Sequence, residues 1–153
     1  MSVAHTSRLE SIRGEYAASK AALKRLQEQS KPENVAVSGV SYAEIELAQQ
    51  NLEDTYFLRL TAETEKIGRE HLQKHFPGVA ITPRDGFDSL LLNVTRNLDP
   101  ADSTARIQAW ISAGARNLRP HRNNQAHGLP LIDHRPGFLM ALTALSQFVY
   151  QLP

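Results

Sequence analysis

The chain has 153 residues, a net charge of +1 and no cysteine. That length suits one domain, 1–153, with enough chain to bury a sizeable core, and the missing thiols exclude disulfides and thiolate metal sites. No basic run supports tight binding to long duplex nucleic acid, Met1–Arg8 lacks the apolar run of a signal peptide, and Phe138–Leu145 is too short an apolar stretch to cross a bilayer, so a cytoplasmic protein with no membrane contact is expected.

The spacing predicts helices throughout, and the expected class is all-α. Ser7 to about Ser30 reads as the first helix, with Leu9, Ile12, Tyr16, Leu23 and Leu26 on one stripe and Arg8, Arg13, Lys20, Lys24 and Glu28 on the other side. Pro32 ends it, and Asn34–Gly39 reads as a loop. Ser41-Tyr42-Ala43-Glu44 matches a capping box and opens a long, bend-prone second helix that runs to His75, where Phe76-Pro77-Gly78 stops it. Its inward stripe is Ile45, Leu52, Tyr56, Leu60, Ile67 and His71. Arg59 and Glu63 lie beside that stripe, one helical turn apart, either as a structural ion pair or as part of a site. A third helix opens at Thr82-Pro83-Arg84-Asp85 with Phe87, Leu90, Leu91 and Val94 inward. A turn around Pro100 leads to a fourth, capped by Asp102 or Ser103 and bearing Ile107, Trp110, Ile111 and Leu118. Pro120 interrupts it, and His121–His127 reads as a kinked or restarted segment ended by Gly128-Leu129-Pro130. Pro136 starts the last helix, where Phe138, Leu139, Leu142, Leu145, Phe148 and Val149 are available for burial.

Chemistry concentrates in Arg122-Asn123-Asn124-Gln125-Ala126-His127-Gly128. Five helical steps from Arg122 to His127 turn roughly 140°, so the two side chains flank a groove that a symmetric copy can close. Arginine offers a planar fork of donors to phosphate oxygens, and histidine takes and gives a proton near neutrality. That pairing suits metal-free cleavage of a phosphodiester; the plainer reading of the same stretch is a solvated polar turn. In RNA the 2′-hydroxyl is the nucleophile, so His127 serves as base or acid, Arg122 stabilises charge on phosphorus, and Asn123 holds the histidine or a phosphate oxygen. All seven basic residues after position 75 are arginine, which fits phosphate contact, as chance usage does nearly as well. His71 and His75 have ligand spacing on a helix but no third inward ligand, so no metal site and no cofactor are expected.

Arg122-Asn123 followed by Ala126-His127-Gly128 resembles the Arg-Asn-x-x-x-His signature of the HEPN superfamily. Asn51-Leu52-Glu53-Asp54-Thr55-Tyr56-Phe57-Leu58-Arg59-Leu60 with Glu63 is similar to the central helix of a bacterial HEPN-like family, and Phe138–Pro153 to its last helix. The resemblance spans roughly Leu9 to Pro153 and implies a bundle of about five helices that dimerises with the motif at the interface. It implies a metal-independent endoribonuclease acting on RNA, as a toxin or anti-phage defence effector, with an antitoxin or regulatory protein as partner. Arg122, Asn123 and His127 would be its catalytic residues, Glu63 and Arg59 its supporting residues, and Arg119 and His121 further RNA-phosphate contacts. Leu129 stands where a related pattern has a modified tyrosine, which argues against that variety, and Pro120 departs from the uninterrupted approach to the arginine. The competing readings are a non-catalytic HEPN module that binds RNA, nucleotide or a protein, and a helical dimerisation protein.

Overall fold

A computed structural model describes residues 3–29, 39–82, 90, 93–94, 96–97, 137–150 and 152. Among the described residues there is helix and no strand, in line with the all-α expectation. Helix α1 spans Val3–Gln29, α2 spans Tyr42–His75 and α3 spans Phe138–Tyr150. Leu90, Asn93, Val94 and Arg96 are also helical. The expected third- and fourth-helix stretches 83–89 and 98–136 otherwise lie outside the described residues.

The predicted capping box opens α2. Ser41 Oγ accepts from Glu44 N–H at 3.3 Å, and the Glu44 carboxylate accepts from Ser41 N–H at 2.7 Å. These bonds satisfy donors that a helix start leaves orphaned, and the backbone bond from Ser41 is the main reason the Glu44 carboxyl is held below its ordinary range. The helix continues without a break for 34 residues. It stops where Phe76 N–H closes on Leu72 O at 2.8 Å, one residue before Pro77.

The core lies where the three helices meet. Leu9, Ile12 and Tyr16 of α1 pack with Tyr56, Phe57, Leu60, Ile67 and Leu72 of α2 and with Phe138, Leu145 and Phe148 of α3. Tyr16 links all three, its ring centroid 4.3 Å from Phe138 and 5.6 Å from Tyr56. Glu53 anchors the start of α3 by accepting from Phe138 N–H at 2.7 Å, an anion placed at the positive end of a helix. On another face of α2, Gly68 lets the chain at Leu90 come close: a Cβ there would meet Leu90 Cδ2 at 3.3 Å.

Three expectations change. First, α1 begins by Val3, four residues before Ser7. No helix breaker precedes Ser7, and half-buried His5 lies within electrostatic reach of Glu70, Lys74 and His75 near the end of α2. Second, Arg8, expected outward, lies half-buried in the α1–α2 seam. Third, Leu139, expected inward, is 60% exposed. The buried face of α3 runs through Phe138, Ala141, Leu142, Leu145, Phe148 and Val149, so small alanines fill the stripe and Leu139 falls outside it.

Leu60→Ala should cost about 2–5 kcal/mol, because the side chain it truncates is fully buried. Ser41→Ala, which removes only a cap, should cost about 1 kcal/mol. Urea unfolding midpoints of the two variants check this order.

Candidate functional site

Of the residues singled out by sequence, Arg59 and Glu63 are described. Arg122, Asn123, His127, Arg119 and His121 lie outside the described residues. Arg59 and Glu63 sit on the side of α2 that faces α1, and each takes its partner from α1 rather than from the other. Arg8 donates Nε to Glu63 Oε1 at 2.5 Å and Nη1 to Glu70 Oε2 at 2.5 Å. Glu63 and Glu70 are seven positions apart, two helical turns, so both carboxylates present to the same side and one guanidinium spans them. Arg59 donates Nη1 to the Glu15 carboxylate. Its guanidinium carbon also stands 5.3 Å from the centroid of the Tyr56 ring.

Arg8, Glu15, Arg59, Glu63 and Lys66 form the charged walls of an open groove of about 460 Å³ between α1 and α2. Burial disfavours the Arg8 charge, yet the hydrogen bonds to Glu70 and Glu63 outweigh it and raise its pKa above the ordinary value. The bond from Arg8 in turn holds the Glu70 carboxyl below its usual range. Glu15 is lowered by its hydrogen bond from Arg59, and Arg59 is raised by the same bond. All of these groups are charged at neutral pH. The groove therefore offers fixed charge of both signs, suited to orienting a polar group rather than to moving a proton itself.

The His71–His75 pair stacks with ring centroids 4.9 Å apart, and His71 is buried beside Phe76. Among the described residues no three His, Asp or Glu side chains gather as a metal-binding group. No helix among the described residues is long and apolar enough to cross a membrane.

Sequence reading found Arg59 and Glu63 by their place beside the apolar stripe but missed Arg8, Glu15 and Glu70, which complete their environment. A signal existed in the seven-residue step from Glu63 to Glu70, which puts two carboxylates on one side of the helix. Compared with protein-family models, with curated proteins and with solved structures, the chain shows no significant match.

Replacing the clamp tests its electrostatics. Glu70 has a folded pKa below its unfolded value, so its contribution is present at neutral pH and is lost as pH falls through the folded pKa. Arg8→Met should lower stability at neutral pH by about 1 kcal/mol. The gap to the wild type should shrink below about pH 4, where carboxylates protonate. Denaturation midpoints across that pH range provide the measurement.

Proposed function

We propose that the chain is a metal-independent endoribonuclease of the HEPN type, which cleaves RNA with the substrate's own 2′-hydroxyl as nucleophile. The observation that carries this reading is the pairing of Arg122-Asn123 with His127 in one short stretch, in a chain of all-α architecture. A bundle of about five helices, paired as a homodimer through the 116–128 region, would bring two copies of the motif into one cleft. His127 takes the 2′-hydroxyl proton or gives one to the leaving 5′-oxygen. Arg122 stabilises the charge that builds on the phosphoryl oxygens, and Asn123 orients the histidine or a phosphate oxygen. Arg119 and His121 supply further phosphate contacts. Glu63 and Arg59 support the site from α2. In this scheme Glu63 acts with Arg8, since the two are already bonded. A toxin or anti-phage defence role, with an antitoxin or regulatory protein as partner, follows from the same resemblance, as does a cytoplasmic setting.

One observation favours a second reading, a non-catalytic HEPN module that binds RNA, nucleotide or a protein. Arg59 and Glu63 are both engaged by α1, as residues with a purely structural task would be. Pro120, just before the motif, points the same way.

His127→Ala and Arg122→Ala should each lower RNA cleavage by orders of magnitude with little change in unfolding midpoint. The double variant should lose less than the product of the two, because residues acting in one transition state are non-additive. Products should carry 2′,3′-cyclic phosphate ends, a 2′-deoxy substrate should resist, and EDTA should not inhibit. Wild-type protein that binds RNA but cuts none of several substrates would decide for the binding module.

Glu63→Gln separates the two tasks assigned to that residue. Under the catalytic reading, cleavage falls while the unfolding midpoint changes little; unchanged cleavage with lowered stability returns Glu63 to a structural role. Light scattering at micromolar concentration should give the mass of a dimer, and a monomer there would remove the shared cleft.

A further inference from the structure

Helix α3 carries no charged residue in its 13 positions, in a chain that is 22% Asp, Glu, Lys and Arg. One face of it is core, through Phe138, Ala141, Leu142, Leu145, Phe148 and Val149. The other face is open to solvent and apolar at both ends. Leu139 is 60% exposed, Met140 56% and Tyr150 47%, and these are three of the five large apolar side chains exposed among the described residues. A helix that is apolar around most of its circumference belongs in an interior, and an exposed apolar strip marks a contact surface. Glu10 and Arg13 of α1, which border α3 across a groove, pair with each other at 2.6 Å.

The exposed strip has an order that is the same from either end. Met140, Thr143, Gln147 and Tyr150 follow at steps of three, four and three residues, which holds them within about 80° of one another around the helix. That is the spacing of a seam between two helices. The ends are large and apolar, and the middle is polar. Leu139 widens the Met140 end. Turning the helix end for end therefore lays Met140 where Tyr150 stood and Thr143 where Gln147 stood. In the middle, Thr143 Oγ1 donates to Leu139 O at 2.9 Å, which leaves the hydroxyl oxygen to accept, and the exposed Gln147 amide can donate.

From this order we infer that the outer face of α3 is a docking surface for a second copy of the same helix, antiparallel across a two-fold axis that passes between Thr143 and Gln147. Tyr150 of each copy then covers Leu139 and Met140 of the other, and Gln147 of each donates to Thr143 of the other. A two-fold sets a face against itself, so a charge near the axis would oppose its own kind, and α3 has none to oppose. The apolar ends supply the driving force. The polar middle fixes the register, because a slide of about one turn would set the Gln147 amide against Met140 and leave it unpaired. RNA fits this face poorly, since α3 offers its phosphates no cation. The pairing of α3 does not rest on the endoribonuclease reading.

Thr143→Asp places two carboxylates near the axis. In sedimentation velocity on the full chain at micromolar concentration it should halve the mass of the assembly, while circular dichroism shows the helices intact, because position 143 is exposed. Wild-type association should survive high salt, as an uncharged contact does. The chain has no cysteine, so single cysteines report the geometry. The Met140→Cys and Tyr150→Cys proteins, mixed under oxidising conditions, should cross-link to each other far faster than either does to itself. A monomeric wild type, or cross-linking no faster in the mixture than in the separate proteins, would overturn the proposal. A dimeric wild type whose mass Thr143→Asp leaves unchanged would overturn it too, and would leave pairing through 116–128 standing. Monomeric wild type retained on phosphatidylcholine vesicles, with retention lost in Met140→Asp, would give the face to a lipid surface instead.

Discussion

Helix α2 has 34 residues, about 50 Å at 1.5 Å per residue, whereas a compact domain of this chain length has a radius of gyration of about 15 Å. A helix longer than the body that holds it cannot be covered along its whole length by one set of neighbours. The stretch from Tyr56 to Leu72 is covered on more than one side, by α1, by α3 and by the chain at Leu90 and Val94. The stretch before it has α1 and little else among the described residues. The covered and the less covered stretch of α2 thus follow from one length, which the capping box at Ser41 and the stop at Pro77 set in the sequence.

What fixes α1 along that helix is largely polar. Apolar packing of Leu9, Ile12 and Tyr16 drives the two helices together, but the hydrophobic driving force is itself non-directional. The polar contacts are directional. Arg8 to Glu63 and Glu70, Glu15 to Arg59, Ser19 Oγ to Tyr56 Oη at 2.9 Å, and Gln49 to Gln27 occur in sequence order along an antiparallel pair. A shift of one turn, about 5.4 Å, would part every one of them at once and leave half-buried carboxylates without their cation. Single exposed ion pairs are worth little, so their part in the fold is to choose the register rather than to supply most of its stability.

The elements that could be read from the sequence were those governed by local rules. Ser41 with Glu44, Pro77 after Phe76, and the repeat through Phe138, Leu142, Leu145 and Val149 each depend on residues a turn or two apart, and the structure has all three. Errors arose where the deciding partner was remote in sequence. Arg8 reads as a surface residue until Glu63, 55 positions away, is brought beside it. Leu139 reads as core by type, but Phe138, Ala141, Leu142, Leu145 and Phe148 set the phase of the buried face, and Leu139 falls one step off it. The candidate site divides in the same way. The Arg122–His127 stretch draws notice because its members are adjacent in sequence, and it lies outside the described residues; the α1 partners of Arg59 and Glu63 could not be read, since no periodicity encodes a contact between two helices.

The clamp at Arg8 bears on the chemistry open to Glu63. Glu63 Oε1 already accepts from Arg8 Nε, so that oxygen is committed to a cation and is not free to meet a hydroxyl. Proton abstraction from a 2′-hydroxyl therefore falls to a histidine under the endoribonuclease reading, and Glu63 is left with the task of placing a cation. The cation in question has two anchors, Glu63 and Glu70, of which Glu70 is the more exposed at 44% against 27% for the side chains. A phosphate entering the groove would compete first for the Nη1 edge of Arg8 now held by Glu70, the better-solvated partner and the one more easily returned to water. The Nε bond to Glu63 would keep the guanidinium plane fixed meanwhile. On that argument the supporting role assigned to Glu63 is carried through Arg8, a residue of α1, and the pairing of α1 with α2 becomes part of the site rather than only its scaffold.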